Sequence, residues 1–201
     1  TGSQVESREN LALDLRLASL HAAAVQTAAG ALLLLGENGA GKSTLAVALA
    51  MRGLRFVGDD RLLLRLSQRP RGIGLQLTAK LRLPLPATLG PAFRRFASSR
   101  AVLQSASLSL IRFRPEEILP RGKSLRLGAA ILLQRDGTPA PRLQPLPRTE
   151  LLDALLQGCF APQLTAVERL QALLPVAGLP GFALHYADCE PASDHVVRHF
   201  A

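Results

Sequence analysis

Apolar residues recur along this chain in two rhythms, and the changes of rhythm mark the elements. "LALDLRL" at 11–17 alternates apolar and polar positions, the period of a strand with one buried face. "LHAAAVQT" at 20–27 predicts a second strand, closed by the turn "AAG". "ALLLLG" is a continuous apolar run that stops at glycine, the pattern of a central strand buried on both faces. From Ser43 to Arg52 the spacing becomes helical. Leu45 and Leu49 share a face with small alanines between them, and Gly53 stands where a left-handed residue would end the helix. "LRFVG" at 54–58 predicts a short strand, and "RLLLRL" with "GIGLQL" predicts a hairpin around "SQRPR".

Residues 78–124 carry no firm period, since prolines break "KLRLPLPATLGP"; a substrate loop or insertion is expected there. "SLRLGAAILLQRDG" then predicts a strand ending in a turn, "RTELLDALLQGCF" a helix with Thr149 as N-cap, and "LTAVERLQALLPVAG" a second helix. "GFALHYADC" reads as a last strand and "EPASDHVVRHFA" as a terminal helix. Strand, loop, helix and strand, with more strands than one parallel sheet requires, predict an α/β domain with a mixed sheet. One domain is expected over 4–201, without internal repeats or a low-complexity linker.

Composition changes this picture little. The 201 residues are 48% hydrophobic and 19% charged, enough for one core. The 24 Lys+Arg against 15 Asp+Glu give +9, which favours anionic partners. The arginines are scattered, "RFRPEEILPRGK" interleaves two Glu, and no aromatic-basic pattern is present, so nucleic acid is not the expected partner. Cys159 and Cys189 lack metal-ligand spacing, and no secretory leader is read ahead of them; reduced thiols in a cytoplasmic protein are expected. The longest apolar runs are strand-length, far below the roughly 20 residues that span a bilayer, so no membrane association is expected.

The candidate chemistry lies between the central strand and the helix. Gly36, Glu37, Asn38, Gly39, Ala40, Gly41, Lys42 and Ser43 satisfy G-x-x-x-x-G-K-[ST], in the strand-to-helix context that this motif needs. Such a loop wraps phosphates with backbone N–H groups at the positive end of a helix. Lys42 would reach the β and γ phosphates and the Ser43 hydroxyl would ligate Mg²⁺, implying ATP and Mg²⁺. Thr44 either starts the helix and packs or touches phosphate. "GENGAGKSTL" also suits ABC-transporter ATPases, but no LSGGQ-like signature follows.

Asp59 and Asp60 lie 17 and 18 residues after Lys42, room for one helix and a return strand parallel to the first. That course brings both acids to the phosphate end of the sheet. There one acid can hold Mg²⁺ directly or through water while another takes the proton of an attacking hydroxyl. Adjacent strand residues point to opposite faces, so the two need not share a role. The alternative is a turn pair, because Asp is common where strands end. His185, His195 and His199 form no metal-ligand set with carboxylates and read as surface histidines.

These residues together resemble the HPr kinase/phosphorylase family and its HprK-related kinases, distant cousins of ATP-dependent phosphoenolpyruvate carboxykinases. His21, fourteen residues, Gly36, Gly39, Gly41, Lys42, Ser43, then Arg52, Gly53, Asp59 and Asp60 follow the family's pattern without a gap. The resemblance implies a P-loop kinase domain like the family's C-terminal domain. It implies Asp59 as general base toward a serine hydroxyl, Asp60 as organiser of Mg²⁺ beside Ser43, and His21 as a hydrogen-bond donor near the transferring group. Read without the resemblance, a single His at the start of an apolar strand is more often a satisfied core residue. Thr44 stands where these kinases usually carry Glu, and a large N-terminal domain found in many members is absent from this chain. Arg121, Lys123 or Arg126 of "LPRGKSLRLG" could supply positive charge to the γ phosphate, with a solvated turn as the alternative for each.

The function expected is an ATP- and Mg²⁺-dependent kinase acting on a hydroxyl, a serine of a peptide or small protein. A small-molecule kinase and a nucleotide-binding regulatory module without efficient transfer remain as alternatives. Family members form hexamers, so a homo-oligomer is compatible with the resemblance.

Overall fold

The computed structural model describes residues 17–75 and 78–200. The strand expected at 11–17 therefore lies outside the described residues, apart from Leu17. The described residues begin with β1 (Leu17–Leu20), β2 (Ala23–Thr27) and β3 (Gly30–Leu35), followed by helix α1 (Lys42–Met51) and β4 (Arg55–Gly58). β5 (Leu62–Arg65) and β6 (Arg71–Ile73) form the antiparallel hairpin that the sequence predicts. The proline-broken stretch holds β7 (Ala79–Arg82), α2 (Pro91–Ser99), β8 (Ala101–Gln104) and β9 (Leu108–Ile111), whose strands make a separate sheet ordered β7-β9-β8. The chain continues with β10 (Ser124–Gln134), β11 (Arg142–Pro145), α3 (Arg148–Gly158), β12 (Cys159–Phe160), α4 (Ala166–Ala177), β13 (Gly181–His185) and α5 (Cys189–Phe200).

The architecture is α/β with a large mixed sheet. β10 runs parallel to both β3 and β13, whereas β2 is antiparallel to β3 on one side and β4 on the other. β4 consequently points the same way as β3, one strand removed, as the return strand was expected to do. β3 explains its unbroken apolar run, because both its faces are covered. Leu32 and Leu34 pack with α1 and α5 residues such as Leu45, Leu49 and Val196. Ala31, Leu33 and Leu35 pack on the opposite side with Leu151, Leu155, Leu173 and Val176 of α3 and α4. Burial of each such leucine contributes about 1.5–3 kcal/mol, so β3 holds two helical layers to one sheet.

Three boundaries depart from expectation, each for a pairing reason. The strand expected over 20–27 is broken at His21 and Ala22, because β1 pairs with β5 and β12 while β2 pairs with β3 and β4. The helix expected to reach Phe160 stops at Gly158, since Cys159 and Phe160 pair with Leu20 and Ser19. Its N-cap is Pro147 and carries no side-chain cap bond, so Thr149 sits inside the helix. The capping chemistry appears on α4 instead, where Thr165 and Glu168 satisfy each other's backbone amides. Among the described residues no helix is long and apolar enough to cross a membrane.

Candidate active site

Six residues, Gly36 to Gly41, carry the chain from the end of β3 into α1. Gly41 is the N-cap, with φ of 98° and no side-chain cap bond, which leaves the first amides of α1 directed at whatever lies before the helix. Glycine is required at this position twice over. The backbone is left-handed, and a Cβ here would stand 2.6 Å from the Tyr186 hydroxyl. Tyr186, just past β13 and 2% exposed, donates that hydroxyl to the Ala40 carbonyl at 2.5 Å. Burial pushes its pKa well above the tyrosine range, so it acts as a neutral donor that clamps the loop. Lys42, 7% exposed, donates Nζ to the carbonyls of Gly36 at 2.7 Å and Glu37 at 3.0 Å. Desolvation lowers its pKa below the usual lysine value, and the charges of Asp59 and Asp60 oppose that shift.

β4 delivers the two acids to the same edge of the sheet, and their side chains diverge. Asp59 is 2% exposed; one carboxylate oxygen accepts from Ser43 Oγ at 2.8 Å and the other from the Lys80 amide at 2.9 Å. Burial raises its pKa, while the bonds from Lys80 and Ser43 pull it back. Asp60 has φ of 64°, the one positive value among described non-glycine residues, and its side chain is about half exposed. His21, in the bend between β1 and β2, donates Nδ1 to the Asp60 carbonyl at 3.0 Å and lies 3.4 Å from its carboxylate. The other ring nitrogen lies 3.0 Å from Oδ1 of Asn38, so His21 bridges the phosphate loop and the acid turn.

A cavity of about 290 Å³ is lined by Lys42, Ser43, Thr44, Asp59, Asp60 and His21. Its remaining wall carries three cations that sequence reasoning missed: Lys80, Arg82 and Arg135. Arg121, Lys123 and Arg126 lie elsewhere. Leu127 pairs with Ala31 at the start of β3, so Arg126 sits about 26 Å along β10 from Gln134, at roughly 3.3 Å per residue. All three are at the opposite edge of the sheet from the phosphate loop, and the γ-phosphate role expected of them is not open to them. Arg135 was within reach of inspection, because it directly follows the strand beside the phosphate-loop strand, where α/β sheets place their ligands. Tyr186 follows the next strand and is the chain's one tyrosine. Arg82 gave no signal, lying in the aperiodic stretch.

The other expected residues separate cleanly. Arg52 ties the far end of α1 to Asp194 of α5 at 2.6 Å and is remote from the phosphate loop. His185 pairs with Asp136 at 2.7 Å, and His199 packs edge-on against Phe182. Cys159 is buried, Cys189 half-buried, and both are free thiols. Among the described residues no three His, Cys, Asp or Glu side chains converge as a metal cage. The hydroxyl of Ser43 and the carboxylate of Asp59 do form a pair of hard oxygen donors, which fits Mg²⁺ held jointly with phosphate oxygens and water.

No protein-family model matches the sequence, and no curated protein matches it. Among solved structures, the chain is similar to the Hpr(Ser) kinase/phosphatase from Coxiella burnetii. The two share 13% identity, with 90% of this chain and 92% of that chain covered and a TM-score of 0.39.

Proposed function

We propose that the protein is an ATP- and Mg²⁺-dependent phosphotransferase that moves the γ-phosphoryl group to a hydroxyl, such as a serine of a peptide or small protein. One observation carries the reading: Ser43 and Asp59 meet at the foot of an uncapped phosphate loop, and the His21–Asp60 pair faces the same cavity. The amides of Gly39 to Thr44 and the Lys42 ammonium would bind the phosphates, and Lys80, Arg82 and Arg135 would offset charge that develops during transfer. Magnesium, when bound, supplies charge neutralisation at the β and γ oxygens.

The contacts favour a division of the acids opposite to the one the resemblance implies. Asp59 is buried with both oxygens engaged, one of them by the serine that would share the metal, so it suits the metal side. Asp60 is exposed beside His21 and free to meet an incoming hydroxyl. Its carboxylate would take the hydroxyl proton as the oxygen attacks phosphorus and the bond to the ADP oxygen breaks, with His21 orienting the turn.

The test is single-turnover incubation with γ-labelled ATP and Mg²⁺, read by intact mass of the acceptors. Asp60→Asn should keep nucleotide binding and lose about a hundredfold or more in transfer. An unchanged rate in Asp60→Asn removes it as the base, and the absence of any transfer with intact ATP binding replaces the enzyme by a binding module.

A further inference from the structure

A second and larger cavity, about 680 Å³, opens on the far side of the phosphate loop and shares His21, Asn38, Gly39 and Arg135 with the phosphate cavity. Its volume lies in the range of small-ligand sites. Lys42, Ser43 and Thr44 do not line it; the outer surface of the loop and one face of α3 do. On α3 the residues Glu150, Asp153 and Gln157 follow at helical spacing, turned away from Leu151 and Leu155, which are buried in the core. Glu37 adds a third carboxylate from the loop. In a chain with 24 Lys+Arg, none of these three acids has an ion-pair partner among the described residues. The helix dipole accounts for Glu150 in the first turn of α3; Asp153 is beyond that turn and accepts a hydrogen bond from Gln157 Nε2 at 3.0 Å, a neutral partner that leaves its charge unbalanced.

We infer that this cavity is the acceptor subsite, and that it selects an acceptor carrying a positive charge, an ammonium or guanidinium group, close to the hydroxyl that is phosphorylated. The inference rests on the phosphotransferase reading. Of the two cavities, Thr44, Lys80 and Arg82 line only the phosphate cavity, Glu37, Glu150 and Asp153 line only the acid-lined one, and His21, Asn38, Gly39 and Arg135 stand where the two meet, so one cation faces three acids in the larger cavity. A hydroxyl entering from the acid-lined cavity past His21 therefore comes to the side of the phosphate cavity where Asp60 stands. The acceptor oxygen gains the bond to phosphorus, the bond to ADP breaks, and the proton passes to Asp60. Glu37, Glu150 and Asp153 hold the neighbouring positive group.

Two matched pairs of probes distinguish the sources of such a group. One is a short serine peptide flanked by lysines against the same peptide flanked by glutamates; the other is glucosamine against glucose. Binding is measured by calorimetry with Mg²⁺ and a non-hydrolysable ATP analogue, and transfer is measured with ATP. In at least one pair the cationic member should bind about tenfold tighter, with the preference shrinking as salt rises. Glu150→Gln and Asp153→Asn should each reduce that ratio about two- to fivefold, and the ratio is insensitive to partial unfolding. Equal or weaker binding of the cationic member in both pairs overturns the inference, as does a preference that survives the double variant. Charge-selective binding without transfer sustains the subsite and refutes the phosphotransferase. Transfer favouring the glutamate peptide or glucose refutes the subsite and leaves the phosphotransferase standing.

Discussion

Gly41→Ala tests the clamp that shapes the phosphate loop. The substitution forces a non-glycine residue to φ of 98°, a left-handed backbone that costs about 1–2 kcal/mol. It also places a methyl group 2.6 Å from the Tyr186 hydroxyl, closer than atoms can approach. That hydroxyl cannot simply retreat, since it is buried and bonded to the Ala40 carbonyl one residue away. Forcing it aside adds about 1–3 kcal/mol. With the two terms together near 3 kcal/mol, a chain of this length should lose roughly 6–12 °C in Tm. Tyr186→Phe alone should cost about 1 kcal/mol for the lost hydrogen bond. It also removes the obstructing atom, for the next ring carbon stands 3.9 Å from the added methyl. In the Tyr186→Phe background the glycine substitution should then cost only its backbone strain, roughly 1–2 kcal/mol. The double variant is thus predicted to be more stable than the two single effects summed, by about 1–3 kcal/mol. Thermal denaturation of the parent, both single variants and the double variant measures that coupling. Additivity within about 0.5 kcal/mol would refute the clamp, since sites that do not touch add to that accuracy.

Asp59→Asn should raise stability at pH 7. The native pKa of Asp59 lies above its ordinary 3.8, so the parent loses stability as pH climbs from 3.8 through the native value, and the variant lacks that slope. Melting curves across pH should show the two converging below pH 3.8; an equal or lower Tm for the variant at pH 7 would count against a costly buried charge. Arg82→Ala should weaken ATP binding about tenfold or more, and Arg126→Ala should leave it within twofold, because only the first lines the phosphate cavity. Equal losses in calorimetry would show that the cations act only through overall charge. Thr165→Ala should cost about 1 kcal/mol of stability by removing the cap of α4, whereas Thr149→Ala should stay within about 0.5 kcal/mol. Denaturant midpoints decide between them.

The elements around the phosphate loop were legible because each is governed by short-range chemistry. The apolar run of β3, the glycines of the loop, the periodicity of α1 and the positive φ of Gly53 all act within a few residues of the sequence that announces them. The breaks at His21 and Gly158 were not legible, because both arise where a strand changes partners. Leu20 pairs with Leu62 and Cys159, whereas Ala23 pairs with Leu34, and no local pattern states that switch. The stretch from 78 to 111 hid its strands for a different reason. Each is four residues long, so the alternation of β7 and β9 ends before it makes a firm period, and β8 is exposed along nearly its whole length.

The same distinction separates the legible half of the site from the rest. Lys42, Ser43 and the acid pair are joined by one helix and one strand, so counting residues suffices to bring them together. What counting cannot supply is direction. Adjacent aspartates must face apart, and only the placement of Ser43, Lys80 and His21 decides which carboxylate is buried against the loop and which turns outward. Arg135 and Tyr186 pose the same problem across the sheet. They become neighbours of the loop because β10 and β13 run parallel to β3, Leu132 lying opposite Leu35 and Gln134 opposite His185. Reversing either strand would carry its last residue to the far edge, where Arg126 stands. Arg135 is therefore chosen by strand direction rather than by local charge density, and Lys80 and Arg82 come from β7 of the separate sheet. This accounts for three basic residues clustered in sequence at 121–126 having no place in the phosphate cavity, while Lys80, Arg82 and Arg135, scattered over more than fifty positions, line one wall.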